Sequence, residues 1–419
     1  MLWISSVLSA ATGLRTASKM MKILIPFFDL PASTPSWYTG RFWLMRLGYY
    51  KLNRPKEQAD DWIWIIDHSI QLSSEKCLVI LGIRLCNLPT DRALNFADVE
   101  PIEMIPVIKS TGEIVYGQLE IAKQKTGVPR EIIADHGSDL KLGIEMFCNQ
   151  HKETSYIYDI KHAMSLALEC ELKNDLDWGK FITFAAKTKK EICQTALSPL
   201  VPPSQRKKSR YMNADILLNW VEKMRVFLNE DDMIIGKYYD AKKVKEKFSW
   251  INELTPKIVE WNNLIMVIKF IEDFIRKNGL NFSISLKMES QLDKFNLDDR
   301  AKKFKESAIE FVKKEALKAK AGERLLGSSE VIESLFGKQK FIEKEQSRSG
   351  FTGLLLALPA LVAETSEAVI KKALESIPTK FIIDWYKKNI VKSVQAKRIE
   401  SFKTTTYEEQ KQNQDLMAA

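Results

Sequence analysis

The sequence predicts an α/β protein whose five-stranded mixed sheet is flanked by helices and interrupted by a large all-α insertion. Five short apolar runs, rich in β-branched residues, lie between residues 61 and 160. Such runs are typical of strands in a largely buried sheet. Between residues 173 and 322 the strand patterns stop, and long Lys- and Glu-rich amphipathic segments predict helices.

The first three predicted strands follow closely along the chain. The apolar runs Asp61–Leu72 and Glu75–Leu85 are separated only by Ser73 and Ser74. This spacing predicts a hairpin of two largely buried strands. A third strand is predicted over Pro101–Ile108.

Helices and strands alternate after the third strand. The pattern predicts a helix over Gly112–Gly127, a fourth strand over Arg130–Asp135, a further helix, a fifth strand over Ser155–Ile160 and a helix over Lys161–Leu172. Three strands followed by alternating helices and strands, with one antiparallel hairpin, is the chain order of the RNase H-like fold.

The predicted domain organisation places this core around an insertion. Residues 1–55 form a helical segment, compatible with a truncated helix-turn-helix for DNA binding or with half of a domain. The remaining predicted parts are the first part of the core (56–172), the all-α insertion (173–322), a helix completing the core (323–345) and a C-terminal helical region (346–419). Long insertion helices are predicted over Asn213–Glu230, Thr255–Lys277 and Asp298–Lys320.

Composition favours a globular protein with a polyanionic partner. The chain has 63 Lys and Arg against 54 Asp and Glu, a net charge of +9, which suits nucleic acid, although many soluble proteins have such a charge by chance. Its 5 cysteines include no CxxC pair, so neither a disulfide framework nor a zinc site is expected. The apolar run Met1–Ala11 lacks a basic n-region and leads into Arg15 and Lys19, which is unlike a signal peptide. The apolar run Phe351–Ala363 is too short to span a bilayer. We expect the second run to form a buried helix, and the protein to be cytoplasmic with no membrane partner.

Two aspartates stand in apolar strands, where an unpaired carboxylate is costly to desolvate. Asp67 follows Ile65 and Ile66 within the first strand, and Asp135 ends the fourth, shortly before Gly137. A bound cation would offset this cost, so both are candidate metal ligands, and Asp135 also stands at a strand end, where ligands gather in open α/β sheets. The alternatives are a turn residue at the strand edge for Asp67 and a helix N-cap for Asp135.

A third acidic candidate lies on the helix predicted near residue 330. Glu330 and Glu333 stand one helical turn apart and can face the same way. Lys338 and Lys340 follow, where they could contact a phosphate. The alternative is an ordinary charged surface helix.

Together these segments resemble the DDE transposases of bacterial insertion sequences, whose catalytic domain is RNase H-like. The resemblance covers about residues 56–165 and 323–345, through the segments WIWIIDHSIQL, EIIADHGSDL, SYIYDI and SSEVIESLFGKQK. The step of seven from Glu333 to Lys340 is similar to the signature of some of these families. Leu326 and Ser329 stand where that signature has Tyr and Arg, so the choice between Glu333 and Glu330 stays open, with Glu333 favoured.

The resemblance implies a two-metal mechanism. Asp67, Asp135 and Glu333, or Glu330, would hold two Mg²⁺ or Mn²⁺ ions about 4 Å apart, with Asp67 bridging them. The enzyme would cut the transposon's terminal inverted repeats and use the freed 3′-OH to attack target DNA, and joining two ends suggests a homodimer. No P-loop or GxGxxG is present, so no nucleotide cofactor is expected. Candidate contacts to double-stranded DNA are Lys338, Lys340, Arg206, Lys207, Lys208, Arg210, His68 and His136.

Two alternative functions remain open at this point. A nuclease or resolvase of the same fold would share the carboxylates and lack strand transfer. An inactive relative would bind DNA through its helical parts. The basic helices of the insertion also have a simpler interpretation, as solvated charged faces.

Overall fold

A mixed five-stranded sheet forms the centre of the chain in the computed structural model, which describes residues 1–10, 12–72, 75–205, 210–344, 351–390 and 399–402. The strands have the spatial order β3-β2-β1-β4-β5. β1 pairs antiparallel with β2 and parallel with β4, and β2 pairs antiparallel with β3. Their bounds are β1 Trp62–Leu72, β2 Glu75–Arg84, β3 Glu100–Val107, β4 Glu131–Ala134 and β5 Ser155–Tyr158.

This topology confirms the predicted RNase H-like core. The predicted hairpin is the β1–β2 pair, and Ser73 and Ser74, which were expected to separate its strands, lie outside the described residues. The helices are α1 Leu2–Ala10, α2 Leu14–Phe27, α3 Trp37–Asn53, α4 Gly112–Thr126, α5 Ser138–Gln150, α6 Ile160–Lys173, α7 Leu176–Ile192, α8 Ala214–Leu228, α9 Asp232–Ile235, α10 Ala241–Phe248, α11 Trp250–Glu253, α12 Thr255–Asn278, α13 Ile284–Leu292, α14 Asp299–Ala316, α15 Glu330–Lys344, α16 Phe351–Leu354, α17 Glu367–Ser376 and α18 Thr379–Asn389.

The chain divides into two compact units. The first unit contains Met1–Ile157 and Ser329–Ala419, and therefore most of the sheet; the second contains Tyr158–Ser328. In the part of the chain that the structure describes, no helix is both long and apolar enough to cross a membrane.

One face of the sheet is covered by α4 and α5. Even-numbered residues of β1, such as Trp64 and Ile66, are buried there against Leu119, Ile144 and Phe147 of the two helices. Successive side chains of a strand point to opposite faces. The odd-numbered residues of β1 therefore face the other side of the sheet.

Helix α3 packs against a buried segment that follows α16. The apolar run Phe351–Ala363, expected to be a buried helix, is buried from Leu354 to Ala363. It forms α16 and a 3₁₀ helix over Leu355–Leu361 that contains Pro359. Proline lacks the N–H that an α-helix interior requires, which disfavours one continuous α-helix here.

Lys51 of α3 is fully buried at the end of this 3₁₀ helix. Its ammonium group donates to the carbonyl oxygens of Ala360, Val362 and Ala363 at 3.2, 2.6 and 3.0 Å. The last carbonyls of a helix have no partner within it, so a hydrogen-bond donor is favoured at this position, and burial lowers the pKa of Lys51 to about 7.

The second unit has its own aromatic core. Trp178 and Trp261 meet edge to face at 5.0 Å between ring centroids, and Phe181 packs on both Trp250 and Trp261. The Trp261 indole N–H donates to Asp175 at 2.9 Å. Buried ring pairs with satisfied polar groups are typical of a packed core rather than of a surface for stacking bases.

The chain enters and leaves the second unit at neighbouring points. The backbone N–H of Ile160 donates to the carbonyl of Gly327 at 3.1 Å. Leu325, two residues before Gly327, exchanges two hydrogen bonds of 2.8 Å with Leu280 as an isolated antiparallel bridge. The unit therefore has the geometry of an insertion whose two ends meet.

Candidate functional site

The register of the parallel strands sets Asp67 beside Asp135. β1 and β4 pair through Ile63 with Glu131 and through Ile65 with Ile133. Continued by two residues, this register places Asp67 opposite Asp135, the first residue after β4. Neighbouring strands lie about 4.8 Å apart, so the two backbones are close at this end of the sheet.

Local hydrogen bonds orient both carboxylates. Asp67 is half-buried and accepts the backbone N–H of His68 at 2.6 Å. Asp135 accepts the N–H of Gly137 at 3.0 Å, which closes the turn into α5. The hydroxyl of Tyr156 donates to the Asp135 carbonyl oxygen at 2.6 Å and ties this turn to β5.

Helix α15 lies on the face to which Asp67 belongs. It contacts β1, and its buried residues Val331, Ile332 and Leu335 lie outside the core cluster on the α4 and α5 face. Glu330 and Glu333 are both half-buried in the first turn of this helix. The structure therefore brings the helix of the candidate glutamates and the strand of Asp67 together on one side of the sheet.

The donor set fits a hard divalent cation only in part. Carboxylate oxygens are the ligands that Mg²⁺ and Mn²⁺ prefer, and Asp67 and Asp135 supply two neighbouring ones. Among the residues with described positions, however, no three His, Cys, Asp or Glu side chains converge closely enough to hold a metal ion. The conformation observed contains a pair of candidate ligands and no completed metal site.

His68 belongs to a different cluster, on the α4 and α5 face. Its side chain is only 5% exposed, and Nδ1 lies 3.8 Å from Oδ2 of Asp139. Lys76 of β2 contacts the same Asp139 oxygen at 2.6 Å. Burial lowers the pKa of His68 to about 4, so its ring is neutral at neutral pH. As placed, His68 does not present a charge to a phosphate.

The sequence alone indicates that His68 and Asp67 face opposite sides of the sheet. Adjacent residues of a strand face opposite ways, so the two could not both line one site. The ion pair between Lys76 and Asp139 could not be predicted from the sequence, because it depends on the register of β2 and on the residue at which α5 begins. Asp139 is the second residue of α5, and the N-cap residue of α5 is Gly137.

The other predicted DNA contacts are placed as follows. His136 is half-buried, its ring 5.3 Å from that of Tyr156. Lys338 donates to the Leu8 carbonyl at 2.5 Å, and burial lowers its pKa, whereas Lys340 is exposed. Arg206, Lys207 and Lys208 lie outside the described residues, and so does the side chain of Arg210.

Comparison with known proteins gives a distant likeness to a solved structure and no family. No family model matches the chain, and no curated protein matches it. Among solved structures, the Drosophila P element transposase strand transfer complex is similar over 88% of this chain and 92% of that one, with 12% identity and a TM-score of 0.42. At this level the likeness carries no argument about function, which therefore depends on the site itself.

Proposed function

We propose that this chain is a DNA transposase of the DDE type, which cuts transposon ends and joins them to target DNA. The observation that carries the proposal is the pair of carboxylates in an RNase H-like sheet, Asp67 in the middle of β1 and Asp135 directly after the neighbouring parallel strand β4, which the strand register sets opposite each other. Helix α15, with Glu330 and Glu333 in its first turn, packs on the side to which Asp67 belongs.

Each acidic residue has a proposed role. Asp67 and Asp135 would hold Mg²⁺ or Mn²⁺ through oxygen atoms, and Glu333, or Glu330 in its place, would supply the third carboxylate. Ions bound in such a site activate an attacking hydroxyl and stabilise the leaving oxygen. The Gly137 and Tyr156 hydrogen bonds would hold the Asp135 turn in place during the reaction.

The proposed substrates are double-stranded transposon ends and target DNA. Joining two ends in one complex would require at least two copies of the active site, so we propose a homodimer when DNA is bound. The strand-transfer step distinguishes this activity from that of a nuclease or resolvase with the same carboxylates.

One observation favours a second candidate function, that of an inactive relative which only binds DNA. Within the described ranges no three ligand-type side chains converge on a metal position. If binding of metal and DNA does not bring a glutamate of α15 to the two aspartates, the chain would bind DNA without cutting it.

The decisive experiment is a nicking and joining assay with the full chain in Mg²⁺ or Mn²⁺. We expect Asp67→Asn and Asp135→Asn to reduce cleavage by about 10³-fold or more, because each removes a metal-holding charge, and to leave DNA affinity within about twofold. Asp60→Asn is the matched control, since Asp60 is exposed just before β1; it should cut like wild type.

The possible outcomes separate the candidates. Joined product from pre-cleaved end DNA supports a transposase, whereas cutting without joining indicates a nuclease. A wild-type protein that binds DNA but neither cuts nor joins with either metal would support the inactive relative. Near wild-type cutting by either aspartate variant would refute the site.

A further inference from the structure

The positive charge of the chain is concentrated in the second unit. Residues 158–328 contain 32 Lys and Arg against 25 Asp and Glu, a surplus of +7 out of the +9 of the whole chain. The first unit, which carries the candidate carboxylates, is close to neutral. A polyanion is therefore attracted mainly to the second unit.

Two helices of that unit place lysines side by side. A salt bridge of 3.1 Å between Lys247 of α10 and Glu191 of α7 joins the C-terminal ends of these helices. The Trp250 indole N–H, just after α10, donates to Thr188 of α7 at 3.0 Å. The two helix ends thus form one continuous surface.

Exposed lysines flank that salt bridge on both helices. Lys187 and Lys190 precede Glu191 on α7, and Lys243 lies one turn before Lys247 on α10, next to Lys242. We call Lys187, Lys190, Lys242 and Lys243 the lysine surface. Lys187, Lys190 and Lys242 have no ion-pair partner in the described part of the chain, and Lys243 pairs with Asp240 at 3.6 Å, with both side chains more than half exposed.

Helix α14 is also rich in lysine but has a different pattern. Its lysines are spread along one helix and interleaved with carboxylates, as in the Lys302–Asp299 and Lys313–Glu310 pairs. That pattern is typical of a solvated helix face laced with ion pairs. In the lysine surface, by contrast, lysines of two helices, α7 and α10, lie next to each other.

We propose that the lysine surface binds the phosphate backbone of double-stranded DNA without reading its sequence. This inference deepens the proposed function, because it names the part of the molecule that would hold the duplex substrate. Lysine ammonium groups are point charges suited to phosphate oxygens. Each phosphate contact releases condensed counterions, so binding should weaken steeply with salt.

The test compares two fourfold variants of the full chain. One carries Lys187→Gln, Lys190→Gln, Lys242→Gln and Lys243→Gln. The control carries Lys302→Gln, Lys303→Gln, Lys313→Gln and Lys314→Gln on α14, with the same change of charge in the same unit. Binding to a short duplex DNA of arbitrary sequence is measured over a salt series in EDTA, so that cleavage plays no part.

We expect the lysine-surface variant to bind at least about tenfold more weakly at low salt, with a salt slope smaller by about 3. The α14 control should stay within about twofold of wild type. Arginine at the same four positions should restore binding if charge is what matters, which excludes a folding defect. Equal weakening of both variants, or unchanged binding by the first, would overturn the proposal.

Competition with other polyanions tests whether duplex DNA is the partner of the lysine surface. If duplex RNA or polyglutamate displaces the bound duplex DNA as efficiently as unlabelled duplex DNA does, the proposal is also overturned. The outcome is independent of the proposed activity, because EDTA binding can succeed in a protein that never cuts. Conversely, if the chain cuts and joins DNA but the lysine-surface variant binds DNA like wild type, the transposase proposal stands and only the lysine-surface proposal is refuted.

Discussion

Single buried charges in the first unit are matched to specific acceptors, and Lys51 is the clearest case. Its ammonium group is held by three carbonyl oxygens and by the Thr365 hydroxyl. Burial lowers the pKa of Lys51 to about 7, and a buried amine is tolerated only when its hydrogen bonds are satisfied in this way. Lys51 therefore ties α3 to the end of the 3₁₀ helix that follows α16.

We expect Lys51→Met to lower the free energy of unfolding of the first unit by about 3 kcal/mol, because several hydrogen bonds are lost and the buried carbonyls lose their donor. Urea unfolding and amide hydrogen exchange of residues 355–363 measure the change. The control Lys371→Met alters a lysine that is 68% exposed, and should change stability by less than about 0.5 kcal/mol. A similar small effect at Lys51 would contradict the assigned role.

Asp139 provides a prediction about pH. Burial is the largest single influence and opposes its ionisation, but the hydrogen bonds and positive charge around the carboxylate, those of Lys76 foremost, together outweigh burial and lower the pKa of Asp139 from 3.8 to about 2. Between these values the unfolded chain binds the proton more readily than the folded one. The stabilisation is therefore complete above pH 3.8 and is lost as the pH falls towards 2.

We expect Asp139→Asn to destabilise the first unit by about 1 kcal/mol at neutral pH, and this difference from wild type to vanish near the lower end of that range. Acid and urea unfolding of both proteins measures it. Glu145→Gln, on the same helix but 50% exposed, serves as the control with little effect at any pH. A deficit at Asp139 that does not change with pH would show that shape rather than charge is responsible.

At the scale of elements, the close approach of α3 to the 3₁₀ segment depends on a missing side chain. A Cβ atom at Gly48 would overlap the carbonyl oxygen of Leu356. A backbone atom cannot move aside as a flexible side chain can, so the two elements would have to separate.

We expect Gly48→Ala to destabilise the first unit by about 3 kcal/mol through this overlap. Gly117→Ala is the matched control in α4, where an added Cβ meets nothing within 4 Å; it should stabilise by about 0.5–1 kcal/mol, since alanine loses less backbone entropy in a helix. Thermal unfolding compares them. Equal melting temperatures for the two variants would contradict the described packing.

The elements themselves were largely predictable because their signals are local. Apolar runs gave β1 to β4 to within two residues, and the predicted helices over Thr255–Lys277 and Asp298–Lys320 match α12 and most of α14. Registers and close approaches were not predictable, since they depend on residues far apart in the chain. The split at Pro359 shows how a proline overrides an otherwise helical apolar run.

For the candidate site, the sequence predicted the two aspartates, and the strand register sets them side by side. The third ligand is a different case. Glu330 and Glu333 are separated from Asp135 by the whole second unit, so no spacing fixes where their carboxylates reach. Which of them completes the site stays a prediction.

At the scale of the whole molecule, the second unit contains its own core and both ends of its chain meet. We expect residues 158–328, expressed alone, to fold with strong helical circular dichroism and one cooperative thermal transition, because the aromatic core around Trp261 is internal to this unit. Trp261→Ala in the same fragment should abolish cooperativity. A wild-type fragment that melts gradually, without a transition, would contradict this prediction.

The hydrogen bond between Ile160 and Gly327 has a thermodynamic consequence for the other unit. While the second unit is folded, it holds the two halves of the first together as a short connection would. If it unfolds, folding of the first unit must close a loop of about 170 residues, at an entropic cost of about 4–5 kcal/mol. The stability of the sheet is thus linked to that of the inserted helices through chain connectivity alone.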